Sequence, residues 1–219
     1  GDSIMVLRFP LKSNLSFTDG RISTTLARNG LFQTDVAINP GSSGGPAISD
    51  RKIIGVVMQQ MTRSQSIGYI VPVSVIEHFL TDIKDGKYDG FAHLGITTQT
   101  MENSALRSVY KMDKKTTGAL IVDISQKSSA YTKLKEGDVL IGIDGHKIQN
   151  DATIEFMKNK FTSYKYYIDK KQIGEKIKIT VLRDGKIKNV DLVLNTIADD
   201  NLLVDTLAHD VMPRYLIYG

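Results

Sequence analysis

The chain of 219 residues contains no cysteine. Its absence removes disulfides, thiolate nucleophiles and cysteine-ligated zinc or iron–sulfur centres together. The redox compartment stays open, because a chain without thiols suits reducing and oxidising surroundings alike. Long apolar runs are missing too, so no transmembrane helix is expected. No charged–apolar–small leader is visible. Charge of one sign is only slightly in excess: 28 Lys and Arg face 24 Asp and Glu, a balance of +4. The excess is local. Residues 1–90 hold 9 basic and 8 acidic side chains, whereas residues 158–188 hold 10 and 3. Arginine is scarce there and no glycine–aromatic signature accompanies the lysines, so this reads as a solvated lysine-rich surface rather than a nucleic-acid site. Nothing in the composition calls for a metal or an organic cofactor. With 41% hydrophobic and 24% charged residues, the length suits one large domain or two small ones.

Short strand-like runs fill the first seventy residues. Ile4 to Phe9, Arg21 to Leu26, Ile53 to Met58 and Ile67 to Val71 are apolar or alternating, separated by Gly, Asn, Asp and Pro clusters. This predicts a small antiparallel barrel or sandwich. The period then changes. Ser74-Val75-Ile76-Glu77 has the form of a capping box, and Val75, Ile76, Phe79, Leu80 and Ile83 follow at helical spacing up to Gly86. A helix over 74–85, a linker at 85–90 and a boundary near residue 88 follow. Beyond it the pattern is mixed α/β. Strands are expected at 118–124 and 138–143, and a short helix over 155–160 with Phe156, Met157 and Phe161 inward. A hairpin is expected around Asp184-Gly185.

The segment with chemical content is Asn39-Pro40-Gly41-Ser42-Ser43-Gly44-Gly45-Pro46. A nucleophilic serine needs an exposed hydroxyl, a base, and backbone N–H donors for the developing oxyanion. Three glycines within two residues of Ser43 let the backbone turn so that the N–H groups of Gly41 and Ser43 converge. Gly41 to Gly45 also fits the G-x-S-x-G elbow of α/β-hydrolases, but that elbow needs a strand before the serine and a helix directly after it. Here prolines flank the string and a strand follows. A loop–serine–strand arrangement of the trypsin kind fits instead.

Residues 1–80 resemble the second β-barrel of the HtrA/Deg serine proteases. The residues that carry this are Gly1-Asp2, Phe9-Pro10-Leu11, Gly20-Arg21-Ile22-Ser23, Gln33-Thr34-Asp35, Asn39-Pro40-Gly41, Ser43-Gly44-Gly45-Pro46, Ile54-Gly55-Val56 and Ile67 to Pro72. Ser42 departs from the family, which more often has Asn there. Residues 91–195 resemble a PDZ domain of the Deg type. Leu94-Gly95-Ile96 stands for its carboxylate-binding loop and Leu134 to Leu140 for its recurring turn and strand. Residues 197–219 look like the entry into a second PDZ-like segment of the plant Deg subtype.

The resemblance implies a mainly β protein with an α/β part: a trypsin-like antiparallel barrel over 1–88, without the first barrel, and a PDZ domain over 91–196. It implies Ser43 as nucleophile, an oxyanion hole from Gly41, Ser42 and Ser43, and an apolar substrate pocket involving Ile38 and Met61. Leu94, Gly95 and Ile96 would hold a peptide carboxylate. In the trypsin order the His and Asp of the triad precede the serine, yet His78, His93, His146 and His209 all follow Ser43. Each histidine reads as an ordinary surface or turn residue, and Asp35 as part of the strand leading to the loop. The expected activity is ATP-independent endoproteolysis of misfolded or damaged proteins by a homo-oligomer, a trimer or a multiple of one. The expected place is the cell envelope (periplasm) or an organelle rather than the cytosol. The alternative is a non-catalytic peptide-binding or chaperone-like protein on the same scaffold.

Overall fold

The structure is a computed structural model and describes residues 1–8, 15–27, 31–38, 41–60 and 68–196. Met61 and the segment 197–219 lie outside the described residues. The chain divides into two compact units, Gly1–Tyr88 and Asp89–Gly219.

The first unit is a closed antiparallel barrel. Its strands are β1 (Ser3–Arg8), β2 (Ser16–Ala27), β3 (Leu31–Thr34), β4 (Pro46–Ser49), β5 (Lys52–Gln60) and β6 (Gly68–Pro72). They run in the order β1-β2-β3-β6-β5-β4, and β1 closes the ring by pairing with both β2 and β4. Closure decides for a barrel against a sandwich. Alternation supplies the interior: Ile4 and Val6 on β1 point inward and join Ile22, Val36, Ile38, Ala47, Val57 and Ile70. Each large aliphatic side chain buried this way contributes about 1.5–3 kcal/mol relative to exposure.

Helix α1 (Val73–Asp82) follows β6, and a 3-10 turn (Ile83–Asp85) ends at Gly86, whose φ of 84° is the left-handed stop read from the sequence. The expected capping box does not form. The helix starts one residue earlier, with extended Pro72 as N-cap and no side-chain cap bond. Pro72 already fixes φ near the value for a helix entry, so Ser74 falls inside the first turn.

The second unit is built on one antiparallel sheet. Its elements are β7 (Ile96–Thr100), α2 (Ser104–Val109), β8 (Ala119–Ile124), β9 (Val139–Ile143), β10 (His146–Lys147), β11 (Thr153–Met157), β12 (Lys160–Ser163), α3 (Lys165–Asp169), β13 (Lys176–Arg183) and β14 (Lys186–Val193). The sheet order is β14-β13-β9-β8-β7, with β10 paired to β9. Among the described strands, β7 and β14 are therefore its edges. A bridge between His93 and Asn195 ties the segment before β7 to the segment after β14. Asp138 and Arg183 form a two-pronged ion pair at 2.6 Å inside this unit, and Asp138 also accepts the Lys135 N–H.

The helix expected over 155–160 is instead the hairpin β11–β12. The spacing of Phe156, Met157 and Phe161 imitates a helical face. Asn159 at φ 59° turns the chain, and the Glu155 carboxylate accepts the Asn159 N–H at 2.7 Å. Phe161 is 49% exposed rather than inward.

Candidate active site and peptide groove

The Ser43 loop runs into β4 and is stitched to β5 by backbone bonds. Gly44 N–H donates to Val57 O at 2.8 Å, and Val57 N–H returns to Gly45 O at 2.9 Å. Gly45 N–H donates to Ser42 O at 3.1 Å. Gly41 and Gly44 have φ of 94° and 83°, conformations that side chains rarely adopt. Gly45 answers a different need: a Cβ there would collide with the backbone carbonyl of Leu7. The loop thereby turns adjacent serines opposite ways. Ser42 is 1% exposed, whereas Ser43 faces solvent.

The Ser43 hydroxyl donates to the Met58 carbonyl at 3.0 Å. Met58 sits at a bulge in β5, between Val57 and Gln59. Among the described residues no hydrogen bond takes up the N–H of Gly41 or of Ser43, while the next two N–H groups are both used. Unbonded N–H donors within two residues of an exposed hydroxyl are the kind of groups an oxyanion site requires. Ile38 lies in the barrel core, 4% exposed and packed on Gly68 of β6.

The carboxylate of Asp35 accepts the Arg21 N–H at 2.6 Å and so braces β2. His78 is buried on α1, which corrects its reading as a surface residue: α1 packs on β5 and β6. His93 is held by its backbone to Asn195, and His146 stacks on Tyr167 at 4.1 Å. His209 lies outside the described residues. A cleft of about 650 Å3 also opens in the barrel unit, between Ser3–Met5 on β1 and Asp50 and Arg51 in the β4–β5 turn. No residue of the Ser43 loop lines it.

In the second unit Leu94 is buried, Gly95 has φ 62°, and Ile96 opens the edge strand β7. Their carbonyls are turned into the protein. Ser128 Oγ donates to Leu94 O at 2.6 Å, and Ser125 N–H donates to Gly95 O at 2.8 Å. Among the described residues no hydrogen bond uses the N–H of Leu94 or Gly95. These are free donors at the head of an unpaired strand edge, a geometry suited to an extended chain ending in a carboxylate. Sequence reasoning passed over Ser125 and Ser128; their only signal was a pair of serines three apart after a strand.

The PDZ domain model matches residues 92–194. Protease Do-like 4, mitochondrial, of Arabidopsis thaliana is 37% identical over 228 residues, an alignment that takes in all of this chain and 43% of that protein. The chain belongs to the HtrA/Deg family. Putative protease Do-like 13 of Arabidopsis thaliana, 36% identical, is matched over all of this chain and 46% of its own length. The probable periplasmic serine endoprotease DegP-like of Pseudomonas putida is 28% identical. The chain thus spans less than half the length of these HtrA/Deg relatives. Among solved structures, the HtrA-type protease AlgW with tripeptide superposes with a TM-score of 0.63 at 24% identity, over 89% of this chain and 65% of that one. At that identity the likeness shows the fold. No described helix is long and apolar enough to cross a membrane.

Proposed function

We propose that this chain carries the nucleophile and the peptide-recognition module of an HtrA-type serine endopeptidase. The observation that carries the reading is the exposed Ser43 hydroxyl flanked by the unbonded N–H groups of Gly41 and Ser43. In this reading Ser43 Oγ attacks the scissile carbonyl, and its proton passes to a histidine oriented by an aspartate. In the HtrA/Deg order both precede the serine. The carbonyl oxygen becomes an oxyanion held by the Gly41 and Ser43 N–H groups, with buried Ser42 fixing the peptide plane between them. Removing one such donor costs about a hundred- to a thousandfold in rate. The Met58 carbonyl parks the hydroxyl at rest. Ile38 and Met61 make the pocket for an apolar side chain. Leu94, Gly95 and Ile96 bind the free C-terminus of peptides. Misfolded or damaged proteins are the substrates, ATP is not needed, and the working form is a trimer or a multiple of one in an organelle or the cell envelope.

The test is Ser43→Ala in the full-length protein. Casein hydrolysis should vanish while binding of unfolded substrate persists. Hydrolysis by the variant at near-parent rates would overturn the reading, and absence of hydrolysis in the parent would leave the non-catalytic peptide-binding alternative.

A further inference from the structure

The edge strand β7 carries a contact that peptide recognition by the Leu94–Ile96 loop does not use. Tyr164 is the N-cap of α3, is 4% exposed, and belongs to the core cluster with Leu94 and Ile168. Its phenol oxygen accepts from Thr98 Oγ1 at 3.4 Å. Thr98 is on the edge strand β7, on the same half-buried face as Ile96. The phenol therefore spans the gap between the free strand edge and α3. Burial pushes the Tyr164 hydroxyl above the ordinary phenol value, with the Thr98 bond opposing it. Among the described residues Thr98 is the phenol's only hydrogen-bond partner, and the bond is long.

We propose that Tyr164 and Thr98 form a latch across the peptide groove, so that an extended chain docks on β7 only when the phenol swings away from Thr98. The proposal rests on the reading of Leu94–Ile96 as the carboxylate loop. A strand added to β7 places alternate side chains on the face that carries Ile96 and Thr98. With its carboxylate at Gly95, the position abreast of Thr98 lies about 10 Å along, two or three residues before the end of the chain. That side chain meets the phenol. The latch thus governs an interior position of the ligand and leaves the terminal residue to the loop. Its apparent affinity is the intrinsic affinity multiplied by the open fraction.

Two near-isosteric variants then act in opposite senses. Thr98→Val removes the donor and leaves a buried phenol oxygen unsatisfied, which disfavours the closed state. Tyr164→Phe removes the phenol oxygen itself, and the apolar ring stays comfortably closed. The probe is a fluorescein-labelled decapeptide of alanines ending in leucine, as the free acid and as the amide, titrated by anisotropy into the 219-residue chain. Thr98→Val should bind the acid about 2- to 10-fold more tightly than the parent. Tyr164→Phe should bind no more tightly than the parent. Equal tightening in both variants, or none in Thr98→Val, overturns the latch. A second reading needs no peptide: the Tyr164 ionisation, isolated by difference against Tyr164→Phe at 295 nm, should move down toward the ordinary phenol value in Thr98→Val. An upward move would mean that the ring stays shut, and also overturns the latch. If acid and amide bind equally in every chain, the carboxylate-loop reading fails, and the absorbance titration still judges whether the ring opens.

Discussion

In the barrel unit the proposed nucleophile Ser43 rides on a loop whose shape is made by glycines and backbone bonds, and eight of the described apolar residues are buried in the interior. In the PDZ unit eighteen of the described residues fill the main buried cluster, and the proposed peptide site is the edge strand β7, whose Ile96 packs against it. The barrel also shows Phe17 63% exposed and Leu15 and Ile53 well exposed. The difference separates two kinds of vulnerability. The Ser43 site depends on where the backbone goes, so a single added methyl can break it. The groove depends on side chains anchored in a larger core, so it yields to lost partners.

The sharpest way to break this contrast is at Asp138. It lies 1% exposed, gripped twice by Arg183 and by the Lys135 N–H, and this fixes the turn that leads into β9. Arg183 is 16% exposed and keeps its bond to the Lys133 carbonyl, so losing Asp138 costs less than a fully buried pair would, about 1–3 kcal/mol. Asp138→Ala should therefore raise hydrogen exchange throughout 89–196. Unchanged protection of β9 and β13 would show that the pair is ornamental and the core alone holds the unit.

Gly45→Ala probes the other side. Its new methyl would meet the Leu7 carbonyl, a backbone atom that cannot step aside alone. Overpacking of this kind costs about 1–3 kcal/mol, and here the strain falls on the peptide bonds that aim Ser43. In the full-length protein the variant should lose hydrolysis out of proportion to its stability. Retained turnover with a lowered melting temperature would separate loop shape from function.

How far these features were legible differs by element. Strands β1, β2, β5 and β6 were readable because β-branched runs such as Ile53 to Met58 alternate with turn residues, a local signal, whereas the four-residue β4 directly after the glycine loop was too short to show one. The Asp184-Gly185 hairpin was readable for the same reason. The β11–β12 hairpin was not, since Phe156, Met157 and Phe161 fit a helix as well as a strand and only the turn at Asn159 decides. Helix α2, capped by Asn103, and the short α3 carry too few turns to show a period. The Ser43 loop was legible because glycine spacing is itself the requirement. The Tyr164–Thr98 contact was not: it joins residues 66 apart, and nothing local marks either one.

That contact gives the next effect in size, confined to alkaline conditions. Tyr164 has its ionisation raised above 10.0, mainly by burial. The folded state then holds a proton that the unfolded state releases once pH exceeds about 10, so stability falls as pH rises through that range. Tyr164→Phe has no such proton to hold. Its melting temperature should decline less steeply than the parent's above pH 10 and run parallel to it between pH 7 and 9. Parallel curves throughout would mean that the phenol ionises in the folded state as easily as in water.

The smallest expected effect lies at the entry to the β11–β12 hairpin. Ala152 adopts φ 64°, held there because its N–H donates to Gln149 O and its carbonyl accepts from Tyr164 N–H. Its methyl is partly buried against the main core cluster, and the left-handed region costs a residue with a side chain about 1 kcal/mol. Glycine would relieve the strain at the price of extra freedom in the unfolded chain, which offsets about 0.4–1 kcal/mol. The net change for Ala152→Gly should be within about 0.5 kcal/mol of zero, on the stabilising side if the hairpin truly imposes the angle. Because Ala152 O holds the Tyr164 N–H, the same variant also asks whether the hairpin positions the phenol. A loss of more than about 1 kcal/mol in chemical denaturation would show that the Ala152 methyl packs usefully against the core cluster beside it. The left-handed angle would then be offset by burial rather than borne as strain.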